Sequence, residues 1–209
     1  LMNSKNITLI DAGTGNLRSV FKALEYIGAQ VTLTDEANII RQANKVILPG
    51  VGAFGDFMAG LRQTGLDQAV LEVVQRGVPT LGICVGMQAL FETGEEMGTH
   101  AGLGLLCGRV IRFSDSKELK IPHTGWNQVW RKKETPLLEG LEDGAYAYFN
   151  HSYYCEAGDP ADVSAVTDYG ILFTSMVQRE NLYGVQFHPE KSQQVGIQIL
   201  TNFAVSGGV

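Results

Sequence analysis

The residue in this sequence most suited to chemistry is a cysteine that lies between two glycines. Cys84 is the centre of Gly-Ile-Cys-Val-Gly at 82–86, after an apolar run that predicts a buried strand and before 87–91, which predicts a helix start. A nucleophile at a strand-to-helix turn needs small neighbours, because the backbone is strained there and the side chain must project clear of the sheet. Free N–H groups at the helix start also favour a thiolate. The pattern therefore predicts an activated thiol, with a buried structural cysteine as the alternative.

A base and an orienting acid for this thiol follow about a hundred residues later. An apolar strand segment ends at His188, and Glu190 follows after one proline. Pro189 keeps the chain extended, so that the carboxylate can accept from one imidazole nitrogen while the other takes the thiol proton. Cys84, His188 and Glu190 are thus the candidate nucleophile, base and acid.

A second glycine-rich turn, Pro-Gly-Val-Gly at 49–52, ends the strand that precedes a long helix. Acyl transfer to a thiol needs backbone N–H donors at the developing oxyanion. We expect these donors in the turn formed by Gly50, Val51 and Gly52, together with the N–H of Val85. The alternative is an ordinary β-to-α turn.

Other candidate sites are weaker. The run Gly-Thr-Gly-Asn at 13–16 lacks the third glycine of a dinucleotide fingerprint. The four histidines show no metal-ligand spacing, and Cys107 and Cys155 lack the setting of Cys84, so we interpret both as structural. We expect no cofactor and no metal.

The elements that must position these residues alternate between strand and helix in the first half of the chain. Strands are predicted at 7–11, 30–34, 45–48 and 78–83, and helices at 16–26, 36–43 and 54–76, the last with a break near 64–65. Short strands follow at 108–113, 127–130, 145–151, 165–167, 172–178 and 182–187, before a closing helix at 195–203. The pattern predicts an α/β fold: a three-layer, mostly parallel sheet with helices on both faces and antiparallel strands added in the second half.

Composition limits the class of protein. The 209 residues are 44% hydrophobic and 18% charged, which predicts a single domain, 1–209, with a real core. A net charge of −6 argues against a nucleic-acid partner, and no apolar run approaches a membrane span. Three cysteines without a CxxC pair, and no signal-peptide pattern, favour the cytoplasm.

The cysteine elbow, the Pro-Gly-Val-Gly turn and the His-Pro-Glu end together resemble the class I, or triad, glutamine amidotransferases, which release ammonia from glutamine. The resemblance covers essentially the whole chain and implies the fold predicted above. It implies that Cys84, His188 and Glu190 form the catalytic triad and that Gln88 helps to hold glutamine.

Four segments, 49–55, 122–127, 148–153 and 188–192, are similar to the glutaminase subunits of imidazole glycerol phosphate synthases. This resemblance implies a heterodimer with a (β/α)8 cyclase subunit in histidine biosynthesis. That subunit uses the ammonia to convert PRFAR, a ribulosyl formimino carboxamide nucleotide, into imidazole glycerol phosphate and AICAR. The resemblance to these glutaminase subunits also implies substrate binding at Ser152 and Tyr153. It implies an interface or channel role for Asn16, Trp126, Tyr148 and Lys191. A movable oxyanion turn at 50–51 would couple glutaminase activity to the partner's ligand.

Three alternatives stay open. A stand-alone cysteine hydrolase of the same fold would not need the 122–127 segment and would act on small peptides or esters without a partner. A glutaminase for another synthase, such as that of anthranilate or guanylate, is disfavoured by segments 122–126 and 150–153. A non-catalytic scaffold is disfavoured because all three triad residue types are present.

Overall fold

The computed structural model describes residues 6–115 and 119–206. Within these residues the chain forms thirteen strands, six α-helices and three short 3₁₀ turns. The strands are β1 (Asn6–Ile10), β2 (Gln30–Thr34), β3 (Val46–Gly50), β4 (Thr80–Cys84), β5 (Phe91–Gly94), β6 (His100–Ala101), β7 (Leu106–Arg112), β8 (His123–Arg131), β9 (Ala145–His151), β10 (Tyr153–Ala157), β11 (Val163–Asp168), β12 (Leu172–Arg179) and β13 (Leu182–Val185). The helices are α1 (Leu17–Tyr26), α2 (Ala37–Arg41), α3 (Phe54–Thr64), α4 (Leu66–Gln75), α5 (Val85–Gln88) and α6 (Gln193–Val205).

The first half of the chain builds a parallel core. Strands lie side by side in the order β2-β1-β3-β4-β13, and each of these pairs is parallel. The chain moves outward from β1 to β2 and then back past β1 to β3, so right-handed crossovers put the connecting helices on opposite faces. Accordingly the helices form two groups: α1 contacts α6, while α2 and α3 both contact α4. The predicted α/β fold with two helical layers is confirmed.

The second half adds strands that are mainly antiparallel. From β13 the sheet continues through β12, β10 and β7, and a branch runs from β12 through β11 and β8 to β9. Only β5 and β7 pair in parallel among the added strands of the described residues. The last strand, β13, returns to the parallel core beside β4. Because β13 lies beside β4, the segment that directly follows β13 lies next to the cysteine elbow.

Most predicted elements are present, and one prediction is wrong. The break in the long helix is at Gly65, which has a left-handed φ of 70°. The helix expected at 87–91, however, is the single turn of α5, which ends at Gln88, and Phe91 begins β5. Residues 89–91 are fully buried, and a short apolar run with no polar face cannot distinguish a helix from a buried strand. Strands β5, β6 and β10 were not predicted, and the single-domain assignment stays a prediction.

Candidate active site

The cysteine elbow is held in a strained conformation by close backbone packing. Cys84 has φ 55° and ψ −112°, a left-handed backbone that is costly for any residue with a side chain. The glycines on either side allow it. A Cβ at Gly86 would lie 1.9 Å from the Leu48 carbonyl oxygen, and one at Gly82 would lie 2.6 Å from the Gly86 oxygen. Gly86 is therefore required by contact with β3, and Gly82 by contact with the first turn of α5.

Three parallel strands bring the predicted site residues to one edge of the sheet. Gly50 of β3 is in register with Cys84 of β4, and Ile83 is in register with Val185 of β13. The glycine turn that follows β3, the elbow and the segment after β13 therefore emerge side by side, as expected where parallel strands end together.

The structure brings the three candidate triad residues together. His188 Nδ1 lies 3.0 Å from Glu190 Oε1, and the imidazole lines the same cavity as the Cys84 thiol. The Glu190 side chain is 1% exposed. Burial alone would lower the pKa of His188, but hydrogen bonds and charge interactions with Cys84 and Glu190 raise it to about 10. The neighbouring carboxylate and thiol thus favour the protonated form of the imidazole.

The backbone of the histidine is fixed from the antiparallel side. The His188 N–H donates to the Tyr148 carbonyl at 2.9 Å. The buried hydroxyl of Ser192 donates to the His188 carbonyl at 2.7 Å and accepts from the Tyr148 N–H at 2.9 Å. Strand β9 and the His188 segment are thus tied together at both backbone groups.

Cys84 and His188 line a cavity of about 280 Å³. Its wall also contains most of the other predicted site residues, namely Val51, Gly52, Val85, Gln88, Ser152, Tyr153 and Lys191. Gly50 lies beneath the wall, where a Cβ would come within 2.7 Å of the Phe57 ring and 2.9 Å of the Gly86 nitrogen. Gly52 has φ +95°, a conformation that favours glycine.

The four residues expected at a partner interface lie in two places. Trp126 and Tyr148 face each other across β8 and β9 with ring centroids 6.0 Å apart, and Lys191 Nζ lies 5.7 Å from the Tyr148 ring. Trp126 is 45% exposed, Lys191 is exposed and Tyr148 is half-buried, so these three form a partly exposed group at the cavity. Asn16 instead donates its side-chain amide to Glu190 Oε1 at 3.3 Å.

Sequence reasoning missed several residues that shape the site. Glu96 lines the cavity and accepts from the Phe54 N–H at 2.7 Å. Gln186 donates to the Cys84 sulfur at 3.7 Å, although it lies only two residues before the histidine that the sequence singled out. His123 and His151 face each other across β8 and β9 with ring nitrogens 3.0 Å apart. Nothing in residue spacing indicated these contacts.

Comparisons with known proteins agree with this geometry. The family model for class-I glutamine amidotransferases matches residues 8–206. Solved structures described as a glutamine amidotransferase and as PurLQS from Thermotoga maritima superpose with TM-scores of 0.73 and 0.72 at 19% identity. Alignment with the first covers 94% of this chain and 98% of that one, and with the second 96% of each. At this identity they support the fold alone.

The chain belongs to the class-I glutamine amidotransferase family. Its sequence is also similar to curated subunits of imidazole glycerol phosphate synthase named HisH. The subunit of Salinibacter ruber is 49% identical over 202 residues, covering 94% of this chain and 93% of the relative. That of Moorella thermoacetica is 51% identical over 197 residues, covering 94% and 93%. This amidotransferase is therefore a member of the HisH group.

The described part of the amidotransferase contains neither a metal centre nor a membrane-spanning helix. Across residues 6–115 and 119–206, no three His, Cys, Asp or Glu side chains are grouped so that they could hold a metal ion. In the same part of the chain, no helix has the length and apolar character needed to cross a bilayer. Cys155 is buried, and burial raises the pKa of its thiol, while Cys107 is exposed.

Proposed function

We propose that this chain hydrolyses glutamine to glutamate and ammonia through a Cys84–His188–Glu190 triad, as the glutaminase subunit of imidazole glycerol phosphate synthase in histidine biosynthesis. The observation that carries the proposal is the imidazole of His188, which hydrogen-bonds a buried carboxylate and lines one cavity with the thiol of a strained elbow. HisH membership supports the pathway and the reaction class.

The reaction is an acyl transfer in two halves. The Cys84 thiolate attacks the side-chain amide carbon of glutamine, and His188 protonates the departing ammonia. Water, activated by the same imidazole, then attacks the γ-glutamyl thioester, releases glutamate and regenerates the thiol. Glu190 accepts from Nδ1, so that the other ring nitrogen faces the sulfur.

The oxyanion of each tetrahedral intermediate would be stabilised by main-chain donors. Val85 is the first residue of α5, and N–H groups in a first helical turn have no carbonyl within the helix to bond. The N–H groups of Val51 and Gly52 lie in the turn directly across the register from the elbow. Loss of one such donor typically costs about 3–4 kcal/mol of transition-state stabilisation.

The cavity wall suits the zwitterionic end of glutamine. Glu96 and Lys191 line it with opposite charges, which match an ammonium and a carboxylate. The Gln88 side-chain nitrogen already donates to the Tyr153 carbonyl and to Gln186 Oε1, both at 3.1 Å. Gln88 therefore offers the substrate its carbonyl oxygen, which can accept from a substrate N–H. Ser152 and Tyr153 complete this side of the pocket.

The ammonia would pass to a (β/α)8 cyclase subunit docked on the partly exposed group of Trp126, Tyr148 and Lys191. Ammonia released into water would largely be protonated and lost as a nucleophile, so a closed route is needed. Asn16 extends this face to the triad, since its amide contacts Glu190. The relatives are named as subunits of a synthase, which supports a partner of this kind. We also propose a cytoplasmic location, since the three cysteines are unpaired.

The test is glutamate release by the purified chain, alone and reconstituted with the cyclase subunit and PRFAR. We expect hydrolysis to rise when both are added, and Cys84→Ala to lose at least about a thousandfold of the rate while still binding the partner. Retained hydrolysis in Cys84→Ala would remove the nucleophile assignment. If PRFAR did not change the rate of glutamate release, only the hypothesis that the 50–52 turn couples glutaminase activity to the partner's ligand would be removed.

A further inference from the structure

A hydrogen-bond chain that is buried next to the thiol reaches Cys84 through a residue outside the triad. Gln186 Nε2 donates to the Cys84 sulfur at 3.7 Å, and Gln186 Oε1 accepts from Gln88 Nε2 at 3.1 Å. Gln186 is fully buried and Gln88 is 3% exposed. The thiol therefore has a second fixed polar neighbour that the triad does not use.

The chain continues beyond Gln88 into the antiparallel region. The Tyr153 carbonyl accepts from Gln88 at 3.1 Å and from His151 Nδ1 at 2.8 Å. His151 Nε2 lies 3.0 Å from His123 Nδ1, and His123 Nε2 lies 3.2 Å from the Asn127 amide nitrogen.

Only one proton arrangement satisfies every contact in this chain. The Asn127 nitrogen donates to the Asp168 carbonyl at 2.8 Å, so it is a donor toward His123 as well. His123 must then accept at Nε2 and donate from Nδ1, and His151 must accept at Nε2 and donate from Nδ1 to a carbonyl. A second proton on either ring would place one N–H against another.

The electrostatics of the two rings agree with this arrangement. Burial lowers the pKa of His123 to about 4 and is the main cause that lowers the pKa of His151 to about 3. Both rings are therefore neutral at the pH at which enzymes of this kind work. The donors run in one direction from Asn127 to the Tyr153 carbonyl, and Gln88 donates both to that oxygen and to Gln186, whose own N–H is aimed at the sulfur.

We propose that Gln186 is a positioning residue for the Cys84 thiolate, held in its orientation by Gln88, whose side-chain nitrogen is anchored on the Tyr153 carbonyl where the hydrogen-bond chain from Asn127 ends. The proposal deepens the proposed function, since it rests on Cys84 as nucleophile. A donated hydrogen bond favours the charged form of the sulfur, and a fixed donor limits its rotamers. His188 and Cys155 are titratable groups that also interact electrostatically with Cys84.

The first experiment compares Gln186→Leu and Gln186→Glu with wild type. Leucine removes the donor, whereas glutamate keeps the shape and the acceptor for Gln88 but offers no N–H to the sulfur when ionised. We expect kcat to fall about tenfold in Gln186→Leu and more in Gln186→Glu, with KM changed less than about threefold. We also expect the pH midpoint for iodoacetamide alkylation of Cys84 to rise by about one unit.

A structural role alone would lower the melting temperature of these variants without moving the alkylation midpoint, and that result would overturn the proposal. If Gln186→Leu failed to fold, the Glu variant would provide the same readout. Loss of the proposed function would be seen separately, as glutaminase activity retained in Cys84→Ala whatever the Gln186 variants do.

The second experiment tests the far end of the chain in the isolated protein. Asn127→Ala removes the terminal donor, and Gln128→Ala is the matched control on the same strand, since Gln128 Nε2 donates only outward to the Gly144 carbonyl. We expect Asn127→Ala to slow alkylation of Cys84 at neutral pH about twofold to threefold, and Gln128→Ala to leave it unchanged. Equal rates in both variants would contradict the claim that the chain reaches the sulfur.

Discussion

The parallel and antiparallel regions reach the same pocket by different means. In the parallel core, β3, β4 and the elbow are shaped by contacts between main chains, with hypothetical Cβ distances as short as 1.9 Å at Gly86. In the antiparallel region, strands β8, β9, β10 and β12 support the pocket through side chains, by the His123–His151 pair and the rings of Phe149 and Phe173 packed against it. The nucleophile is thus fixed by backbone geometry, and the pocket wall by buried polar groups.

The largest effect that would test this contrast is expected from one methyl group in the parallel core. Gly86→Ala places a Cβ against the Leu48 carbonyl, so the elbow and β3 must separate. We expect a loss of about 3 kcal/mol or more in the free energy of unfolding, with loss of glutaminase activity, measured by denaturant titration and glutamate release.

Gly60→Ala is the matched control for that variant. Gly60 lies inside α3, and a Cβ there would meet only the Ala12 oxygen at 3.6 Å, an ordinary contact. We expect it to be neutral or to stabilise by up to about 1 kcal/mol. Equal stability of the two variants would show that close backbone packing does not determine the elbow.

A smaller, pH-dependent effect is expected from the histidine pair in the antiparallel region. The pKa values of His123 and His151 are lowered in the folded protein to about 4 and about 3, while unfolded histidine titrates near 6.5. Below pH 6.5 the unfolded state therefore binds protons that the folded state does not. Stability must fall as pH decreases from 6.5 toward 4, and each histidine contributes a slope of up to about 1.4 kcal/mol per pH unit.

His151→Gln isolates this contribution, because glutamine can accept from His123 and donate to the Tyr153 carbonyl without titrating. Unfolding free energies of wild type and variant between pH 7.5 and pH 4 give the slope of each. We expect the unfolding free energy of the variant to depend less steeply on pH, by about the slope that the uptake of one proton contributes. Parallel curves would mean that the ring of His151 is protonated in the folded protein.

The smallest effect on the stability of the isolated chain is expected at the exposed edge of the antiparallel region. The same substitution should have a large effect on assembly with the cyclase subunit. Trp126 is 45% exposed, so Trp126→Ala should leave the melting temperature nearly unchanged. We expect the Kd for the cyclase subunit to rise about tenfold or more, measured by calorimetry. Leu172→Ala, at a 66% exposed apolar side chain on β12, is the control, and an equal change there would argue against a specific interface at Trp126.

The same contrast explains what the sequence could predict. Gly82, Gly86 and the His-Pro-Glu segment were identified from spacing alone, because backbone constraints are encoded by neighbouring residues. The partners of Gln186 and His151 depend on strand register between segments far apart in sequence, and residue spacing does not specify that register. The error at Phe91 has a related cause, since a fully buried run carries no periodicity to separate helix from strand.

The central claim is that Cys84, aligned by His188 and Glu190, becomes acylated by glutamine. The most direct measurement is acid quenching of the complex with its cyclase partner and PRFAR during turnover, followed by mass spectrometry of the peptide that contains residue 84. We predict a γ-glutamyl thioester on Cys84, absent in Cys84→Ser and in wild type without glutamine. Steady hydrolysis with Cys84 unmodified, or with the adduct on another residue, would contradict this account.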